Sequence, residues 1–125
     1  VFVELNLNPQ HKRKGDCSVR ALAAAEDRSW YEIYDELYHI GREMGDMENS
    51  NDVIGQFLKE RGYIRCSIPN TCPACYTVRD FANDHPEGIY VLGTGSHVVA
   101  VINGDYYDSW DSGDEVPVYC WRASL

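Results

Sequence analysis

The sequence predicts an α+β domain in which N-terminal helices pack on a C-terminal antiparallel sheet. Three observations carry this. Apolar residues recur at three- and four-residue intervals as far as Gly62 and alternate with polar ones beyond it. Asn103-Gly104 stands between two apolar runs, which is the strongest short-range hairpin signal. At Gly15-Asp16-Cys17 a polar, basic segment gives way to the alanine-rich run Ser18 to Ala25, so a helix begins with a cysteine in its first turn. With 125 residues the chain is expected to form one domain, 1–125, large enough to bury a core.

Each element has its own local reason. Residues 1–9 alternate through Val1, Val3 and Leu5 before Asn8-Pro9, as an edge strand or extended arm does. The run from Cys17 to about Ala25 is apolar nearly all round, which predicts a buried central helix. Ser29 and Glu32 form a capping-box pattern for a second helix from Trp30. Its buried face is Trp30, Ile33, Tyr34, Leu37, Tyr38 and Ile40, and Gly45 stops it. A third helix carries Val53, Ile54, Phe57 and Leu58 and ends at Gly62. The aromatic stripes of these helices read as core.

Tyr63 to Ile68 then reads as a strand, and Thr77 as the N-cap of a short helix through Phe81 and Ala82. Strands are expected at Ile89 to Leu92, Val98 to Ile102 and Tyr106 to Trp110. Val116 to Trp121 closes the sheet, with Pro117 marking an edge.

The net charge of -9 argues against a nucleic-acid partner, whose phosphates are met by clustered Lys and Arg. The one basic run, His11-Lys12-Arg13-Lys14, reads as a solvated loop; it is also close enough to Cys17 to favour a thiolate or to meet an acidic substrate. No apolar run approaches the about 18 residues of a membrane span, and Val1-Phe2-Val3-Glu4 is no signal peptide. A soluble, cytoplasmic protein without membrane partners is therefore expected. Five cysteines, an odd number, do not close into a disulfide set, so reduced thiols are expected. Cys72-Pro73-Ala74-Cys75 with Cys66 and Cys120 offers two sharper readings, a four-thiolate zinc site or a redox pair before the helix capped by Thr77. Unpaired structural cysteines are the default, with no metal and no cofactor.

Cys17 is the candidate nucleophile. The first peptide N–H groups of a helix lack intrahelical partners and the macrodipole is positive there, so a thiolate is favoured; the alternative is a small buried hydrophobe. A thiol nucleophile needs a base, and the base needs an orienting group. Of the four histidines, His11 lies in a loop, His39 on the second helix and His85 in a polar turn, whereas His97 opens a core strand behind Gly93-Thr94-Gly95-Ser96. If Asn103-Gly104 is a two-residue turn, Ile102 faces Asp105, Val99 faces Asp108 and His97 faces Trp110. Asp108 then shares a face with His97 and is preferred over Asp111; a three-residue turn reverses the choice.

Gly15-Asp16-Cys17 through Ala23, with Ser96-His97-Val98-Val99 and Asp108 downstream, resembles the papain-like superfamily. The likeness is strongest to the compact bacterial and phage peptidases related to the bacteriocin-processing (peptidase-domain) and NlpC types. Gly15, Cys17, Arg20 and Ala21 also resemble the Gly-x-Cys-x-x-Arg-Ala pattern of ovarian-tumour-type deubiquitinases, although Lys14 stands where those carry an acid. The resemblance covers the start and the last third of the chain. It implies a papain-like fold and a triad of Cys17, His97 and Asp108. It also implies a polar side chain before the cysteine that helps stabilise an oxyanion, Gln10 first and Asn8 second, together with the Cys17 N–H. The implied activity is a cysteine hydrolase, a peptidase or isopeptidase working through a thioester on a protein or peptide substrate. The alternative is a catalytically silent papain-like protein-binding module, phage-encoded, presenting an acidic surface to a host protein.

Overall fold

The computed structural model of the chain describes residues 1–12 and 15–124. Arg13 and Lys14, half of the basic run, lie outside the described residues. In chain order the elements are β1 (Phe2–Glu4), α1 (Cys17–Glu26), α2 (Trp30–Met44), α3 (Asn51–Glu60), β2 (Ile64–Cys66), α4 (Val78–Asp84), β3 (Ile89–Gly93), β4 (Val98–Ile102), β5 (Asp105–Asp108) and β6 (Tyr119–Arg122). The architecture is α+β.

The helices begin where the sequence places oxygen acceptors. Ser29 Oγ accepts from Glu32 N–H, Ser50 Oγ from Val53 N–H and Thr77 Oγ1 from Asp80 N–H, and the Asp80 carboxylate returns to the Thr77 N–H to complete a capping box. Gly45 ends α2 in the left-handed region (φ 67°), which a side chain would resist.

The strands form one sheet in the order β1-β5-β4-β3-β6-β2. Five of them run antiparallel; β1 joins β5 in parallel, pairing Phe2 with Tyr106 and Glu4 with Asp108, so the sheet is mixed rather than wholly antiparallel. The β4–β5 turn holds two residues, as expected. Ile102 opposes Asp105, Val101 opposes Tyr106 and Ala100 opposes Tyr107, with Asn103 (φ 50°) and Gly104 (φ 84°) both left-handed. Pro117 does not mark an edge. It precedes β6, which lies inside the sheet between β3 and β2, so the ring never occupies a ladder position.

Both faces of the sheet are covered, which explains why β3 and β4 read as continuous apolar runs. On one face Leu22 and Ala23 of α1, Ile33 and Leu37 of α2, and Val53, Phe57 and Leu58 of α3 pack with Val91, Ala100 and Trp121. On the other, Val78, Phe81 and Ala82 of α4 pack with Leu92, Val99, Val101 and Tyr106. Neighbouring strand residues thus serve opposite layers.

The cysteines depart from expectation. Cys66 is bonded to Cys120 and Cys72 to Cys75, leaving Cys17 as the free thiol. An odd count is compatible with two bridges and one free thiol. The register that pairs β2 with β6 sets Cys66 directly opposite Cys120 with Cα atoms 5.2 Å apart, inside the bridging range. Thiol titration of the unfolded protein without reductant should therefore find one thiol, and five after reduction. Replacing Cys66 and Cys120 together by Ala should lower stability by about 2–4 kcal/mol, read as a lower urea midpoint. An unchanged midpoint would show that the cross-strand bridge does not constrain the unfolded chain.

Candidate active site

Three elements converge at one end of the sheet: the first turn of α1, the chain entering β4 and the end of β5. Cys17 opens α1 and is half-buried. His97 closes the turn between β3 and β4, where its carbonyl accepts from Thr94 N–H at 2.8 Å and its side chain is buried. Asp108 ends β5 with its side chain 1% exposed. His97 Nε2 donates to Asp108 Oδ2 at 2.5 Å, which leaves Nδ1 free of that carboxylate, and His97 and Cys17 line the same cleft. Trp110, opposite His97 in the register the two-residue turn dictates, packs on the imidazole with ring centroids 4.9 Å apart. Asp111 is elsewhere: it accepts from Tyr106 Oη at 2.6 Å and lies near Arg79.

The electrostatics follow from these contacts. Burial opposes ionisation of Cys17, but the His97 hydrogen bond, the Val98 peptide N–H and the charges of His97 and Arg20 outweigh it and hold the thiol below its ordinary value. Burial also opposes protonation of His97, yet the bonds to Asp108 and Cys17 push it up to about 9. Asp108 is lowered against the burial that would raise it, chiefly by His97 and Ser112. A thiol held down beside an imidazole pushed up favours the thiolate–imidazolium form of the pair.

A cleft of about 420 Å³ opens on this pair, lined by Cys17, Ser18, Asn49, Asn51, Thr94, Ser96 and His97 among others. Apart from Cys17, His97 and Val98, its lining side chains are uncharged hydroxyls and amides. Tyr119 reaches toward it, its hydroxyl donating to Asn51 Oδ1 at 3.3 Å. The ring lies across Gly93, where any Cβ would overlap it. A second hollow of about 440 Å³, lined by Asp35, His39, Phe57 and Arg61, lies on α2 and α3 and holds no thiol.

Gln10 is not brought into the site. Asn8 Oδ1 accepts from the Gln10 N–H at 2.9 Å and from Lys12 N–H at 3.4 Å, turning the chain so that Gln10 is exposed. Asn8, the second choice, is buried, and its amide donates to Asp16 Oδ2 at 3.1 Å. The oxyanion donor that remains is the Cys17 N–H, since Asp16 makes no side-chain cap bond at this helix start. Sequence reasoning missed the surroundings of Asp108, where Arg20 Nη1 (3.1 Å) and Ser112 Oγ (2.7 Å) both donate to the carboxylate. The signal available was Asp16 and Arg20 one helical turn apart. Of the basic run, His11 and Lys12 are exposed, and Arg13 and Lys14 lie outside the described residues. Among the described residues no group of His, Cys, Asp or Glu is arranged to hold a metal ion.

The shifts have a sign that can be measured. Alkylation of Cys17 by iodoacetamide should rise with pH at a midpoint below that of an ordinary thiol. His97→Ala should return the midpoint to that ordinary value. Turnover, which also needs the protonated imidazole, should fall again as pH rises through about 9. A wild-type midpoint at the ordinary value, indifferent to His97→Ala, would remove Cys17 as an activated nucleophile. The chain matches no family model, no curated protein and no solved structure, so its function has to be argued from this geometry.

Proposed function

We propose that the protein is a cysteine hydrolase that cleaves a peptide or isopeptide bond through a thioester, in the manner of the compact papain-like peptidases its motifs resemble. The observation that carries this reading is His97 bonded to Asp108 and sharing one cleft with the free thiol at a helix start. The Cys17 thiolate attacks the carbonyl carbon, and the developing oxyanion is met by the Cys17 N–H. As the C–N bond breaks, His97 gives its proton to the leaving nitrogen. Neutral His97 then takes a proton from a water molecule that attacks the thioester, which releases the acid and restores the thiol. Asp108 keeps the imidazole in the orientation both steps require.

The substrate side of the proposal is a protein or peptide, because the cleft is open and polar rather than an enclosed apolar pocket. Among the described residues no helix is long and apolar enough to cross a membrane. The two disulfides belong to an oxidising setting, which weighs against the cytoplasmic location expected from sequence.

The test compares variants in a peptide-hydrolysis assay with Cys17→Ala as the zero. Asp108→Asn should lower kcat by about tenfold to a thousandfold, less than in a serine triad because a thiolate–imidazolium pair is already charged. Asp111→Asn should stay within about twofold, as an exposed carboxylate away from the site does. Mass spectrometry of the quenched reaction should find the acyl group on Cys17. No turnover and no acyl-enzyme on any peptide, with ligand binding intact, would favour the silent binding module instead.

A further inference from the structure

Arg20 sits in the structure as a buried cation with both ends of its guanidinium occupied. Its Nε donates to Asp16 Oδ1 at 2.9 Å, and its Nη1 donates to Asp108 Oδ1 at 3.1 Å and to Ser109 Oγ at 3.0 Å. One turn into α1, its side chain leans back toward the helix start. Asp16 is itself held from two further directions, by Asn8 Nδ2 at 3.1 Å and by the Trp30 indole N–H at 3.0 Å.

We propose that Arg20 is a positioning residue of the site: it ties the residue in front of the nucleophile to the carboxylate behind the base, and so fixes where Cys17 stands relative to His97. The inference rests on the thiol-hydrolase reading above. Hydrogen bonds run from Asp16 through Arg20 and Asp108 to His97, His97 and Cys17 line one cleft, and the peptide bond from Cys17 back to Asp16 closes the ring. A simple Asp16–Arg20 pair within α1 would close no such ring. The part of Arg20 that matters is its planar fork, which spans two carboxylates at a set separation. An ammonium on a flexible stem carries the same charge without that span.

Among the described residues, the charged and titratable groups facing this ring come from several elements. Asp16 stands at the N-cap of α1 and Arg20 on it, His97 at the entry to β4 and Asp108 at the end of β5. Tyr119 comes from β6, with Arg65 of β2 acting on its ring. Arg20→Lys retains the charge among them, so any change in Cys17 titration in that variant reports displaced geometry.

The experiment is the pH dependence of Cys17 alkylation by iodoacetamide in wild type, Arg20→Lys, Arg20→Gln and His97→Ala, each with a thermal unfolding curve. In folded Arg20→Lys the Cys17 midpoint should move up by enough to cut the rate at neutral pH by about tenfold, which is one unit of pKa. Arg20→Gln should do at least as much. A role confined to stability would lower the unfolding temperature and leave the midpoint of the folded protein where wild type has it. That result overturns the proposal, as does failure of both Arg20 variants to fold, which would make Arg20 a folding strut. If the wild-type midpoint is ordinary and indifferent to His97→Ala, the hydrolase reading fails and takes this inference with it. If wild type and His97→Ala differ as expected while Arg20→Lys matches wild type, only the positioning role is lost.

Discussion

The constraint on which the site depends is the burial of the Asp108 carboxylate. An ion withdrawn from water costs several kcal/mol unless its lone pairs are met by donors and its charge by cations. Here Oδ2 accepts from His97 and Ser112, and Oδ1 from the Ser109 N–H and Arg20. Those four donors come from the entry to β4, the segment following β5 and the first turns of α1. The carboxylate is therefore satisfied only when the hairpin has its register and the thiol helix is docked. The charges also offset one another all but one in a way that suits the chemistry. Cys17, Asp16 and Asp108 as anions stand against Arg20 and His97 as cations, and moving the thiol proton onto the imidazole leaves that net charge unchanged. The exchange happens inside a cluster already arranged for it.

The scaffold places this cluster at the mouth of an interior strand. β4 lies between β5 and β3, with α1 over one face and α4 beyond the other. The alanines of α1 allow it to approach the sheet closely, and Leu22 and Ala23 are fully buried there. The tight turn from Thr94 to His97 then sets where the imidazole emerges. A thiol on a buried helix and an imidazole at the entry to a buried strand leave little freedom in the distance between them, which is what the proposed reaction would require of a preorganised pair.

What could be read in the sequence was local or periodic. Ser29 and Thr77 cap helices because their oxygens meet N–H groups a few residues on, and such signals need no knowledge of the fold. The pairing of His97 with Asp108 was legible for a related reason: strand parity carries information outward from a two-residue turn. The partner of β1 was not legible, because three residues offer no pattern that selects β5 or a parallel direction. The Cys66–Cys120 bridge depends on the register between strands more than fifty residues apart in the chain, and composition says nothing about register. Gln10 failed because its placement was borrowed from a resemblance, while the Asn8 turn that faces it outward is a property of this chain. Arg20 stood in a quoted motif, but its second partner lies at the far end of the sequence.

Asp16 shows how the parts constrain one another. An aspartate before a helix ordinarily turns its carboxylate onto the first-turn N–H groups, and a carboxylate beside a cysteine ordinarily disfavours the thiolate. Both effects would harm a nucleophile at Cys17. Neither operates here, because the Asp16 side chain turns away from the helix end and is shared among Arg20, Asn8 and Trp30. Its charge is met by the guanidinium, and its hydrogen bonds are spent on the N-terminal arm and the start of α2. The first peptide N–H groups of α1 stay clear of the one side chain best placed to take them, which leaves them available to the oxyanion the proposed reaction would form. The residue that sequence rules would assign as a cap thus serves as a bracket, and the helix start keeps the positive end that the nucleophile needs.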